Sequence, residues 1–338
     1  MIRYQGQGLP AAPLVAIVAN DALGNFAAAT PLAQGLKQAH GARVALISGP
    51  RIAEMAAGSV FDEFVPALNR PPREVAPELA ALAPDLVINI ESSLWSKAYS
   101  AILCGSDAFV CGPCLAADGR AELPFPDDDR GSLWADSRWI APDIRDRYPF
   151  LQSSFIGEIF YRLAYLEGPL PRYSFPCEDP GSGLPDVIFA TAASLPEKLW
   201  PVEKWIALAR GLQVRGLTVG LVGAKPSDQS RYWHGSNDES RLVAEGGVED
   251  LRGQFKLPQV VGALDRAKLV VSLDNGIMHF ACATSTPVVA LFRHGIHRLW
   301  TPPAPNLTAL TSNEGGLVAD IPVEEALAAA DEHLHTEI

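Results

Sequence analysis

Val270-Val-Ser-Leu-Asp274-Asn275-Gly276-Ile277-Met278-His279 reads as a buried strand running into a glycine-containing turn and then a helix. Apolar residues follow one another without alternation, as in a strand covered on both faces, so this segment belongs inside a parallel sheet. The strand is expected over Leu269–Ser272 and the helix over Gly276–Ala283. The same grammar recurs on the N-terminal side. Leu14–Ala19, Arg43–Ser48, Leu86–Ile90, Val187–Ala190 and Leu217–Val222 are short apolar runs, and Val288–Phe292 repeats the pattern downstream. Between and after them, Glu74–Ala83, Val202–Leu212 and Val323–Ala330 predict helices; Trp205, Leu208, Ala209 and Leu212 share one helical face. Thr30-Pro31 has the chemistry of an N-cap and first turn, which predicts a helix from there to about Gln38. Strand–helix–strand alternation implies an α/β fold with parallel sheets and right-handed crossovers.

At 338 residues the chain is long enough for two such domains. The Pro- and Gly-crowded stretch from Gly168 to Pro185 supports neither helix nor strand. It divides the chain into a first domain, 1–168, a linker, 169–185, and a second domain, 186–338, with room for the last helix to pack back on the first. Residues Ser106 to Arg147 are rich in Asp and Pro and give no assignable pattern. With 48% hydrophobic and 20% charged residues, the composition excludes disorder and collagen-like repeats. A net charge of −12 disfavours nucleic acid and anionic membranes as partners. No apolar run reaches the roughly 18 residues of a spanning helix, and Met1 to Pro13 lacks the pattern of a signal peptide. The five cysteines suit a reducing compartment. A cytoplasmic location is expected.

In doubly wound sheets ligands bind beyond the carboxyl ends of the strands. Three loops therefore matter: Asp21–Asn25, Thr191–Trp200 and Asp274–His279. Backbone N–H groups at the helix start near Gly276 offer a place for phosphate. Asp274 either orients that turn, or holds a substrate hydroxyl or amine, or simply caps the helix; His279 is a site residue or a satisfied core histidine. Lys198 precedes a helix opened by Trp200-Pro201, where a cation can neutralise a departing diphosphate. A lone loop lysine is equally a solvated one.

Together these segments say more. Lys198-Leu-Trp200-Pro201-Val-Glu203-Lys-Trp205 followed by Asp274-Asn-Gly276-Ile-Met-His279-Phe-Ala281-Cys-Ala283, with Pro287 before the next strand, resembles glycosyltransferase family 9, which includes the lipopolysaccharide heptosyltransferases. Asp21-Ala-Leu-Gly24-Asn25, with Thr30-Pro31-Leu32 after it, resembles the opening of that family. The likeness is clear over residues 14–50 and 187–302. It implies a GT-B fold, two Rossmann-like domains facing across a cleft, and inverting transfer of a heptose or related sugar from a nucleoside diphosphate, ADP-linked by family preference. No metal or other cofactor is implied. On this resemblance Thr191, Lys198, Asp274, Asn275, Gly276 and His279 bind the donor. Leu257, in the loop before an expected helix Gln259–Ala267, lies near the base, and Asp21, Gly24 and Asn25 meet the acceptor. Lys198 and Asp274 also count among the catalytic residues. Asn25 stands where the family has its catalytic Asp, and an amide cannot accept a proton at neutral pH. Glu91, just past its strand, is the substitute base; Asp21 is nearer in sequence but reads as structural. An acceptor needing little help, or a sugar-nucleotide-binding protein without turnover, are the other readings.

Three patterns are decoys. Cys111-Gly-Pro-Cys114 is spelled like a redox site, yet Leu115–Gly119 is too short and Gly-interrupted to supply the helix that such a site requires. Adding Cys104 does not complete a zinc set. Asp127-Asp-Asp129 lies in an unpatterned stretch and reads as a solvated loop. The expectation is a metal-independent glycosyltransferase acting on a hydroxyl of a soluble small-molecule or saccharide acceptor, neutral or cationic given the acidic chain. A lipopolysaccharide core heptosyltransferase is the alternative within the family.

Overall fold

The computed structural model describes residues 1–225 and 236–335. They fall into two units, Met1–Ser174 and Phe175–Ile338, each built on its own six-stranded sheet.

In the first unit the strands are β1 (Ile2–Arg3), β2 (Leu14–Val18), β3 (Arg43–Ser48), β4 (Glu63–Pro66), β5 (Leu86–Asn89) and β6 (Phe109–Cys111). They lie in the order β1-β6-β5-β2-β3-β4 and every pairing is parallel. The helices are α1 (Leu23–His40), α2 (Ala53–Ala56), α3 (Pro72–Leu82), α4 (Leu94–Cys104), α5 (Asp129–Ala135), α6 (Ile144–Arg147) and α7 (Ile156–Leu163). Central strand β2 is buried along nearly its whole length, as its continuous apolar run requires.

Helix α1 starts at Leu23, seven residues before the expected start at Thr30. Thr30 and Pro31 lie inside it. A proline has no N–H for the carbonyl four residues back, here that of Ala27. The Thr30 hydroxyl donates to that carbonyl instead, at 2.9 Å, and the helix continues. Residues Phe26 to Ala33 are all buried, and a Cβ at Gly35 would fall 2.3 Å from the Tyr161 ring of α7. Small residues here let the two helices approach.

The stretch that the sequence left unassigned contains β6, α5 and α6. Asp128, in the acidic triplet, is the N-cap of α5 and accepts from the Gly131 amide at 2.7 Å.

The second unit has β7 (Val187–Ala190), β8 (Val219–Leu221), β9 (Glu249–Asp250), β10 (Leu269–Leu273), β11 (Val288–Phe292) and β12 (Leu307–Thr311). Their order is β12-β11-β10-β7-β8-β9, again all parallel. Its helices are α8 (Val202–Val214), α9 (Ser236–Gly246), α10 (Leu257–Arg266), α11 (Gly276–Ala281), α12 (His297–Trp300) and α13 (Val323–Leu334). Trp205 packs between Phe189 and Trp200, with ring centroids 5.0 Å away on each side. The last helix, α13, packs on its own unit. Ala326, Ala329 and Ala330 enter the core of the second unit, and Arg215 of the segment after α8 pairs with Asp331 at 2.5 Å.

No regular element forms between Gly168 and Pro185. Its later part lies on the second unit: the Glu178 amide donates to Pro258 at 3.0 Å, and Phe175 meets Phe280 edge-on. A Cβ at Gly262 would sit 2.0 Å from the Glu178 carbonyl, so glycine is what admits this strap. Among the described residues no helix is long and apolar enough to cross a membrane.

Candidate functional site

The carboxyl ends of β7, β10 and β11 lie side by side in the second sheet, and the residues singled out in the sequence gather there. Asp274 follows β10 directly and Asn275 is the N-cap of α11. The cap is Asn275, not Asp274: its Oδ1 accepts from the amides of Ile277 at 2.9 Å and Met278 at 3.1 Å. Its Nδ2 donates to the carbonyls of Ala190 at 3.2 Å and Ala192 at 2.9 Å. Asn275 therefore ties the loop after β7 to the start of α11. Two of the backbone amides at this helix start, those of Ile277 and Met278, are thus held by the Asn275 side chain.

Asp274 is released for another partner. Its Oδ2 lies 2.7 Å from Lys198 Nζ, and the two side chains are 4% and 15% exposed. Lys198 ends a short 3-10 turn, Pro196–Lys198. Anchors on either side fix that turn. Trp200 Nε1 donates to the Ile321 carbonyl at 2.9 Å, and Lys204 Nζ reaches the carbonyls of Ala319 and Ile321 at 2.7 and 2.8 Å. Glu203 pairs with Arg241 on the surface at 3.0 Å. Of the residues matched in Lys198–Trp205, Lys198 is the one whose side chain joins Asp274; Trp200 and Trp205 are core.

His279 lies within α11, 1% exposed, with the Trp300 ring edge-on at 5.9 Å. Burial, and then the Lys198 charge, lower its pKa to about 3, so the imidazole is neutral at pH 7. A neutral ring beside an ammonium–carboxylate pair can orient a polar ligand but carries no charge to it.

Thr191 does not present its hydroxyl as expected for phosphate. Thr191 Oγ1 donates to Glu239 at 2.7 Å, and Arg252 donates to the other Glu239 oxygen at 3.2 Å. Arg252 also holds Asp250 at 2.8 Å, and this pairing keeps the Asp250 carboxyl below its usual range. Glu239 is 2% exposed and lines a small cavity with Thr191, Trp200, Asp238 and Leu242. Sequence reasoning missed Glu239, because nothing in the polar first turns of α9 distinguishes a buried acid from a solvated one. Leu257 is not in a loop: it is the first residue of α10, half-buried, and Pro258 follows it in the first turn.

At the carboxyl edge of the first sheet, Gly24 and Asn25 lie in the first turn of α1, and Asn25 is half-buried. Asp21 rests over Gly49, where a Cβ would fall 2.3 Å from Asp21 Oδ2. Glu91 follows β5. One of its oxygens accepts from the amides of Ser92 and Ser93 at 2.9 and 3.2 Å, the other from Asn20 Nδ2 at 2.5 Å. Asn20, which the sequence did not flag, thus links the end of β2 to Glu91. Both sites lie in neighbouring strands of one sheet edge, β2 and β5.

The cysteine pattern resolves differently from its spelling. Cys111 Sγ is directed at the Leu163 carbonyl at 3.0 Å, and burial pushes this thiol up to about 12. Cys114 instead meets Cys104 and, at 3.6 Å, the Met1 sulfur. Gly112 has φ +91°, and a Cβ there would be 2.1 Å from the Asn89 carbonyl. Asn89 Nδ2 in turn donates to Pro113 at 2.7 Å. The Gly-Pro step is a tight turn packed on β5. All five thiols are free, and four are buried. Among the described residues no three His, Cys, Asp or Glu side chains converge to hold a metal ion.

Comparison with known proteins agrees with the resemblance read from the sequence. Residues 164–319 match the model of glycosyltransferase family 9 (heptosyltransferase). Lipopolysaccharide heptosyltransferase 3 of Escherichia coli is 27% identical over 127 residues, 38% of this chain and 36% of the relative. The chain thus spans about a third of the length of that curated relative. The glycosyl transferase family 9 protein of Veillonella parvula superposes with a TM-score of 0.72 at 16% identity, covering 97% of this chain and 99% of the other. A heptosyltransferase of E. coli, WaaC, solved with ADP, gives 0.64 at 17% identity over 95% and 99%. The expected GT-B fold, two Rossmann-like α/β units, is borne out.

Proposed function

We propose that this chain, with its glycosyltransferase family 9 match, moves a sugar from a nucleoside-diphosphate donor to a hydroxyl of a small-molecule or saccharide acceptor, with inversion and without a metal. The observation that carries the reading is the Lys198–Asp274 pair, 2.7 Å apart and largely buried at the carboxyl edge of β10. A lysine held there by a carboxylate is placed to turn toward an incoming diphosphate, and a fixed cation stabilises the charge that grows on the leaving group. Neutral His279 and the turn at Gly276 complete the donor pocket, and Leu257 is assigned to the base. ADP bound to the WaaC neighbour supports an ADP-linked donor, a heptose or related sugar.

The first unit supplies the acceptor residues Asp21, Gly24 and Asn25. Glu91 is the proposed base, its carboxylate oriented by Asn20 and two amides. General-base help is worth about 10²–10⁴ in rate. Asn25 favours one other reading, a protein that binds the sugar nucleotide without turnover. Calorimetry with ADP, UDP and GDP tests the pocket, and product analysis with ADP-heptose and neutral, cationic and lipid A-type acceptors tests transfer. Binding with product supports the enzyme; binding without product on any acceptor supports the binder. No nucleotide bound would overturn both.

A further inference from the structure

The donor site as built leaves a diphosphate short of partners. The Lys198 charge is met by Asp274, and the amides of Ile277 and Met278 are held by Asn275. One strand away, directly after β11, the chain runs Arg293-His-Gly-Ile-His297-Arg-Leu-Trp300-Thr301. Two arginines and two histidines stand in nine residues without an acid, in a protein whose net charge is −12.

This segment adjoins the site, because Trp300 of α12 packs its ring on His279 of α11 at 5.9 Å. Within it, Arg293 Nε, His297 Nδ1 and Thr301 Oγ1 are buried atoms that meet no hydrogen-bond partner among the described residues. Native structures rarely leave such groups unmade, and three in one short segment point to a ligand. All three can serve an anion: the guanidinium always donates, the hydroxyl donates, and Nδ1 donates in the tautomer that protonates it. His294 lies against His297, ring centroids 5.7 Å apart, and its amide is fixed by Ser312 at 3.0 Å. The segment is therefore anchored rather than loose.

We propose that Arg293, His297 and Thr301 form an oxyanion site that holds the terminal phosphoryl group of the donor diphosphate, the partner that Lys198 alone does not supply. This rests on the nucleotide-sugar reading above and extends it to a second strand end. Arg293 is the principal ligand, since its planar fork matches a phosphoryl group.

Calorimetry in EDTA with ADP, AMP and inorganic pyrophosphate tests it, using the full chain, Arg293→Met, Arg293→Lys and Thr301→Val. ADP and pyrophosphate binding are expected to weaken by about tenfold or more in Arg293→Met, the worth of one charge-assisted hydrogen bond. AMP, which lacks the terminal group, is expected to change little, and Arg293→Lys to recover part of the loss. Melting curves check that each variant folds, and Thr301→Val carries the comparison should Arg293→Met not fold. ADP binding that these substitutions leave within about twofold overturns the oxyanion site while the nucleotide reading stands. Pyrophosphate binding that depends on Arg293, in a protein that binds no nucleotide, keeps the oxyanion site and overturns the nucleotide reading. A wild-type chain that binds neither overturns both.

Discussion

Replacing Lys198 by methionine perturbs both the stability of the second unit and its proposed donor affinity, and the two effects can be separated. Lys198 Nζ sits 2.7 Å from Asp274 Oδ2, with 15% and 4% of the side chains exposed. Removing the ammonium alone strands a buried carboxylate. For fully buried pairs that costs ~3–5 kcal/mol, and the partial exposure of Lys198 places the expected loss near the lower end, about 3 kcal/mol. Asp274→Asn alone strands the ammonium, which is freer to reach water, so its loss should be smaller. The double variant removes the pair together and should recover a large part, giving a coupling energy of ~2 kcal/mol in a double-mutant cycle. Binding follows a different order. Lys198→Met is expected to lower ADP affinity ~10–100-fold, the worth of a hydrogen bond to a charged group. Asp274→Asn releases Lys198 from its carboxylate and is expected to tighten ADP. Urea unfolding gives the first set of numbers and calorimetry the second. A Lys198→Met protein that is destabilised yet binds ADP as tightly as wild type would refute the donor assignment and leave the pair a purely structural one.

Four further outcomes are expected. His279, with its pKa depressed from the usual 6.5 to about 3, should stay neutral in NMR titrations down to pH 4. Its share of stability is complete above pH 6.5 and is lost as pH falls from there toward 3, about 2 kcal/mol by pH 5, because the unfolded chain takes up the proton first. Asn25→Asp should raise turnover and Glu91→Gln lower it by ~10²-fold or more; equal rates for Glu91→Gln and wild type would remove Glu91 as base. Thiol titration of the native protein should find Cys177 reacting promptly and the other four only after denaturation, and a fast-reacting pair would contradict their burial. Gly112→Ala forces a side chain into left-handed backbone and against the Asn89 carbonyl, so chemical denaturation should register a loss of ~3 kcal/mol or more; less than ~1 would mean that the turn shifts freely.

The central strands of both sheets were legible because burial on two faces leaves an unbroken apolar run: β2, β3, β5, β7, β10 and β11 all lie where the sequence put them. Edge strands were not legible. β1 and β9 are two residues each, and β4 is Glu-Phe-Val-Pro, too short to carry a period. The start of α1 was misread because Thr30 next to Pro31 is what an N-cap looks like; only the fold reveals that the hydroxyl repairs a missing helix bond. A similar ambiguity affects Asp274 and Asn275, adjacent short polar side chains either of which could cap α11. The partner of Thr191 was hidden for a different reason. That partner, Glu239, lies 48 positions away, a separation at which no local pattern carries information. Lys198 and Asp274, 76 positions apart, were each singled out, but their pairing belongs to the fold.

The anchors of the Lys198 loop also set an order of events during synthesis. Trp200 and Lys204 are held by carbonyls of Ala319 and Ile321, and Trp200 Nε1 therefore waits for a residue 121 positions further on. At ~5–20 residues per second a ribosome takes roughly 6–24 s to make that stretch. The first unit has all its strands by then. Throughout that interval the loop bearing Lys198 lacks its fastening and the Trp200 indole lacks its acceptor. A nascent chain stalled before Ile321 should therefore leave the Lys198 loop unfastened and accessible to protease at Lys198, and the loop should become protected once the full chain is released from the ribosome.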